Sequence, residues 1–137
     1  SQSKDNAVYY IQYAHARVNR MVDVRAPEKN IAFDRTQLAH YDVSILVSNT
    51  ETELLAKLAA YPEIVARAAN SYEPHQIGNY LKELAALFHG WYAQDDVKIL
   101  DEQNIALSQA RLVLSLNVQQ VLKNGLTLLG VSAPESM

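Results

Sequence analysis

With 137 residues, 49% of them hydrophobic and only 4 Gly and 4 Pro, the chain can close a real core, and the composition excludes disorder in favour of one compact, helix-rich domain. The absence of Cys excludes disulfides, thiol nucleophiles and thiolate zinc sites, and agrees with a reducing, cytoplasmic setting. A formal net charge of -3 argues against a general nucleic-acid binder, whose affinity comes from many neutralised phosphates, so any such contact has to be local.

Asp5 or Asn6 is placed to cap a first helix, predicted from about Ala7 to about Val24, with Pro27 as its stop. Wound at about 100° per residue, Tyr10, Tyr13, Arg17 and Arg20 share one narrow arc, while Val8, Ile11, His15, Val18 and Val22 lie opposite. One side is therefore core, and His15 on it reads as a structural histidine. The other presents flat rings flanked by guanidinium groups, which suit stacking on unpaired bases and holding phosphates.

Residues 26–45 read as a connecting insertion: Glu28-Lys29-Asn30 is turn-like, Asp34 to His40 suits a short helix, and Val43 to Val47 suits extended chain. Thr50-Glu51-Thr52-Glu53 is a capping box, and Leu54, Leu55, Leu58 and Ala59 form the apolar face of the helix behind it. Pro62 suits the first turn of the next helix, which runs to about Asn70. Glu73-Pro74 opens another, whose Ile77, Leu81, Leu84, Leu87, Phe88 and Trp91 keep helical spacing to about Tyr92, and Asp95-Asp96 interrupts it.

Asp101 or Glu102 begins a last long helix to about Lys123, with Gly125 as a left-handed terminator and Leu126 to Val131 as a tail folding back. Its apolar positions spread around most of the circumference, which marks it as the central helix. The sum is an all-α bundle of about five main helices in a single domain over residues 1–137. No apolar run approaches the length of a membrane span, and the first residues lack a signal peptide's apolar core. The start at Ser1, already close to a helix, reads as a domain taken from a longer protein.

Enzyme chemistry finds no constellation. His15, His40, His75 and His89 lack paired metal-ligand spacing, the four glycines form no phosphate loop, and the adjacent carboxylates suit loop solvation and capping. Of the eight tyrosines, Tyr61, Tyr72 and Tyr80 read as packing or boundary residues. Tyr10 and Tyr13 stand apart because Arg17 and Arg20 share their arc, although a bundle could also bury that arc with each hydroxyl partnered.

The run Asp5-Asn6-Ala7-Val8-Tyr9-Tyr10-Ile11-Gln12-Tyr13-Ala14-His15-Ala16-Arg17 closely resembles the start of the C-terminal, DALR-type anticodon-binding domain of arginyl-tRNA synthetases. Two further blocks follow in the right order: Glu73-Pro74-His75-Gln76-Ile77-Gly78-Asn79-Tyr80-Leu81, and Ala110-Arg111-Leu112 with Val121 to Val131. The end of the chain, with Pro134, Glu135 and Met137, is similar as well. The resemblance implies an all-helical bundle that grips the anticodon arm of arginine tRNA, beside a catalytic domain of the same chain that carries the ATP and magnesium chemistry. It implies no catalytic residue, cofactor or metal here, and neither a membrane nor DNA as partner. By the same resemblance, Tyr10, Tyr13, Arg17, Tyr92 and Met137 lie beside the anticodon loop. Independently of it, Arg17, Arg20 and Arg25 form a local basic cluster that can serve phosphates despite the overall acidity.

Every arginine anticodon has C in the middle, so a domain that splays out and reads that base while stacking loosely on its neighbours gains discrimination. Departures from the family pattern are few. Ala7 replaces a proline. Ser108, Gln109, Ala110 and Arg111 align with Asp-Ala-Leu-Arg and keep only the arginine, so any structural ion pair made by the family's aspartate has no acid at Ser108 to form it. Ser136 stands where an arginine usually precedes the terminal methionine. The alternative reading is a helical protein-interaction or dimerisation domain that uses the same tyrosine and arginine face.

Overall fold

The computed structural model describes residues 2–94, 98–131, 133 and 137. Helix α1 (Gln2–Arg20) runs without a break through a π-helical turn, Met21–Arg25, into a short α2 (Ala26–Glu28). It is already formed at Gln2, so Asp5 and Asn6 lie inside it rather than at its N-cap. Pro27 does not stop it either. Proline has no N–H to give, and the turn before it has widened, with the Ala26 N–H reaching Met21 O, so the rod absorbs the proline. The stop comes at Asn30, whose φ of 57° is left-handed, with the Ile31 N–H closing on Ala26 O at 2.9 Å.

The stretch up to residue 48 holds two 3-10 turns, Leu38–His40 and Val43–Ile45, in place of the short helix from Asp34 and the extended segment that the sequence suggests. Short carboxylates capture the backbone locally: Asp34 accepts from the Thr36 N–H at 2.9 Å and Asp42 from the Ser44 N–H at 3.0 Å. Phe33 and Tyr41 stack at 4.8 Å between ring centres.

Helix α3 (Asn49–Ala59) has its capping box two residues earlier than Thr50 and Glu53. Ser48 is the cap, its hydroxyl accepting from the Glu51 N–H, and Glu51 accepts from the Ser48 N–H, both at 3.3 Å. Ser48-Asn49-Thr50-Glu51 has the same Ser/Thr-x-x-Glu spacing, so the sequence offers two overlapping boxes. The tertiary fold selects the one whose glutamate faces the interior. Helix α4 (Tyr61–Ser71) carries Pro62 in its first turn, and α5 (His75–Tyr92) starts directly after Pro74, as expected. Asp95 and Asp96 lie outside the described residues.

Helix α6 (Ile105–Leu128) is capped by Asn104, which accepts from the Leu107 N–H at 3.2 Å, rather than by Asp101 or Glu102. Gly125 is buried inside it and terminates nothing; a Cβ there would lie 2.5 Å from Leu81 Cδ2. Gly130, with φ of 74°, ends the helix, and the Val131 N–H turns back to Leu126 O at 2.8 Å. Of the expected tail, Leu126 to Leu128 thus continue the helix, while Val131 and Ala133 pack on the core.

Helices α5 and α6 form the middle of the bundle, α1 and α3 pack on both, and α4 packs on α5. Trp91, Phe88, Leu81, Leu84, Leu112, Leu122 and Leu126 are fully enclosed. Ile11, His15, Val18 and Val22 point inward and Val8 is half-buried, as the arc requires. Tyr80 is buried and donates to Lys57 O at 2.6 Å. Among the described residues the fold is all-α with five main helices, no strand occurs and no helix is long and apolar enough to cross a membrane.

Candidate nucleic-acid interface

The packing of α1 on α5 brings residues 10, 13 and 17 against residues 89 and 92. Arg17 lies between two tyrosine rings, its guanidinium carbon 4.8 Å from the centre of Tyr13 and 4.1 Å from that of Tyr92. Such placement over both aromatic faces is attractive through the ring quadrupoles and holds a long side chain in one position. One nitrogen of its fork donates to Tyr13 Oη at 3.3 Å and the other lies 2.9 Å from His89 Nδ1. The ring of His89 packs against Tyr10 at 4.6 Å and Tyr13 at 5.7 Å.

The three tyrosines are neither sealed nor bare. Tyr10, Tyr13 and Tyr92 keep 39%, 38% and 37% of their surface open, with the inner faces of Tyr13 and Tyr92 covered by Arg17. Beside them opens a cleft of about 450 Å³ lined by Tyr13, Arg17, Arg20, Arg25, Tyr92 and Met137, with Met21 and Val24 among its apolar walls. Tyr10 stands outside that lining, next to His89. Arg20 and Arg25 are exposed, and among the described residues neither pairs with a carboxylate. Asp23, also in the wall, is paired with Arg35 at 2.9 Å.

The structure therefore gathers Tyr13, Arg17, Arg20, Tyr92 and Met137 around one opening, with Tyr10 on its flank. Met137 is more than half exposed there, while Pro134, Glu135 and Ser136 lie outside the described residues. Sequence spacing alone misses His89. Its one signal is the three-residue interval to Tyr92, which puts both on the same side of α5. Burial pushes the His89 imidazole below its ordinary value and the Arg17 charge adds to this, against the opposing effect of the Tyr10 carbonyl.

The residues aligned with Asp-Ala-Leu-Arg lie outside the cleft's lining and serve the fold. Arg111 forms an ion pair with Glu51 at 2.8 Å. Ser108 takes the Asp101 N–H at 2.8 Å, and Gln109 donates to Ala32 O at 2.7 Å. Among the described residues no three His, Asp or Glu gather as ligands for a metal ion.

A helical bundle with an open cleft of rings and guanidinium groups is a binding module. Residues 11–137 match the DALR anticodon binding domain family. The arginine–tRNA ligase of Acinetobacter baylyi is 65% identical over all of this chain, which spans 22% of that protein's length. That of Psychrobacter cryohalolentis is 50% identical over all of the chain, which again spans only 24% of the relative. Among solved structures, Thermus thermophilus arginyl-tRNA synthetase superposes with a TM-score of 0.73 at 31% identity, over 93% of this chain and 21% of that one. The chain belongs to the DALR anticodon-binding domain family of arginyl-tRNA synthetases.

Proposed function

We propose that this chain holds the anticodon arm of arginine tRNA, as the anticodon-reading part of an arginine–tRNA ligase whose ester-forming chemistry, with its ATP and magnesium, resides in a separate catalytic domain. The observation that carries this reading is the guanidinium of Arg17 set between the half-open rings of Tyr13 and Tyr92, at the edge of a cleft that Arg20 and Arg25 also line. Rings held apart and at fixed angles are ready to accept unstacked loop bases without paying for their own ordering. Tyr10, Tyr13 and Tyr92 supply stacking surface, and Met137 an apolar contact. Arg20 and Arg25 meet phosphates, while Arg17 orders the rings and offers its remaining N–H groups to the RNA backbone. The middle anticodon cytosine is the base read at its Watson–Crick edge.

The test is a titration of the chain with an anticodon stem–loop of arginine tRNA at several salt concentrations. Binding is expected to weaken steeply with salt, and Tyr13→Ala to cost about 1 to 3 kcal/mol with the fold intact. Replacing the middle cytosine is expected to cost more than replacing either neighbour. Equal losses at all three positions would remove base reading, and unchanged affinity in Tyr13→Ala would remove stacking. Self-association through the same face, with no RNA bound, would favour the protein-interaction reading instead.

A further inference from the structure

His89 is a titratable group of α5 that touches Tyr10, Tyr13 and Arg17 of α1 together. Its Nδ1 lies 2.9 Å from Arg17 Nη1, its Nε2 lies 3.3 Å from Tyr10 O, and its ring packs on Tyr10 and Tyr13. A guanidinium can only donate, so Nδ1 has to be the acceptor. A carbonyl can only accept, so Nε2 has to carry the hydrogen. Both bonds exist together in one state of the ring, the neutral form protonated at Nε2. A second proton on Nδ1 would set an N–H against an N–H, cation against cation, at 2.9 Å.

Resting on the RNA reading above, we propose that His89 is the positioning residue of this site: its neutral ring holds Arg17 between Tyr13 and Tyr92, and its protonation frees the guanidinium and weakens RNA binding. The charged group facing the ring from α1 is Arg17. On α5 itself Tyr92, three residues on and so on the same side of the helix, is titratable and forms the other wall of the Arg17 slot. Among the described residues, α3, α4 and α6 bring no carboxylate, lysine or arginine into hydrogen-bonding or ion-pairing contact with it. Among the described residues no carboxylate therefore pairs with the imidazolium, and half-burial opposes it further. The sign of the effect sets it apart from plain electrostatics. A histidine that merely adds positive charge beside RNA strengthens binding on acidification, whereas one that dismantles a stacking site weakens it.

The experiment compares the 137-residue chain with H89N and H89L. Each is titrated with a labelled arginine-tRNA anticodon stem–loop from about pH 7.5 to about pH 5.5 at constant ionic strength, a window that brackets an ordinary histidine. The wild-type chain is expected to lose affinity progressively as the pH falls, severalfold by the lower end of the window, because the buried ring takes up its proton below the range of an ordinary histidine. In H89N the amide oxygen takes the place of Nδ1 and accepts from Arg17 without titrating. It should bind at the upper pH about threefold more weakly than wild type, through lost ring contact, and respond to acid far less. H89L, bulky but unable to accept, should bind at every pH as the acidified wild type does.

Nitrogen NMR of the RNA-free chain gives an independent readout: Nδ1 unprotonated, Nε2 protonated, and a titration below that of an ordinary histidine. Flat or rising wild-type affinity on acidification, an H89N profile parallel to wild type, or a hydrogen on Nδ1 at neutral pH would each overturn the proposal. If the wild-type chain binds no stem–loop at any pH, the RNA reading falls and the second half of the proposal with it, while the nitrogen signals still decide whether His89 holds Arg17.

Discussion

Glu51 and Arg111, 60 positions apart in the chain, meet inside the bundle with Arg111 Nε donating to Glu51 Oε2 at 2.8 Å. The same oxygen takes the Trp91 indole N–H at 3.2 Å, while the other carboxylate oxygen accepts the Ser48 N–H that completes the α3 cap. Arg111 also donates to Lys98 O at 2.6 Å. One enclosed carboxylate thus ties the start of α3 to α6 and to the last turn of α5, next to Tyr92.

Removing one partner of such a pair leaves a charge with neither water nor counter-ion. Glu51→Ala is expected to cost about 3 to 5 kcal/mol in chemical denaturation, and Arg111→Met a similar amount. The double variant Glu51→Leu with Arg111→Met should cost clearly less than the two losses added, because it leaves no orphan charge. Additive losses would mean that the two residues act separately.

Gly125 of α6 packs directly against the Leu81 side chain of α5. An added methyl would come within 2.5 to 2.9 Å of three atoms of Leu81, which is itself fully buried. Gly125→Ala gains up to about 1 kcal/mol in helix propensity but forces Leu81 off its place, at about 1 to 3 kcal/mol. The net expectation is a lower melting temperature, with part of the loss recovered when Leu81→Ala is combined with it. A stabilised Gly125→Ala would show that Leu81 has room to move.

Tyr80 tests the core from the alkaline side. Burial pushes its phenol from 10.0 up to about 12, with the neighbouring Tyr61 adding to the shift. The folded value lies above the unfolded one, so this contribution is complete below pH 10 and is lost as pH rises toward 12. Tyr80→Phe removes the hydrogen bond to Lys57 O and should cost about 1 kcal/mol near neutrality. The variant should also show a shallower loss of stability across the alkaline window, measured by urea unfolding at stepped pH; an identical slope would contradict the shift.

The period of the amino-acid pattern was enough to sort the faces of α1, to find five helices and to place Pro62 and Pro74 at helix starts, because these depend on neighbours within a turn or two. The ordered blocks were enough to place the family. What remained illegible depends on partners far along the chain. Two capping boxes overlap at residues 48 to 53, and only Arg111 and Trp91 decide that Glu51 is the glutamate that turns inward. Gly125 has the look of a terminator until Leu81 packs on it, and Pro27 that of a stop until the widened turn accommodates it. Likewise the Tyr10, Tyr13 and Arg17 arc follows from helical geometry alone, but its closure by His89 and Tyr92 does not. Helical pitch is local physics carried by each segment, whereas a hydrogen-bond acceptor 72 residues away becomes a neighbour only once the hydrophobic core has docked α5 against α1.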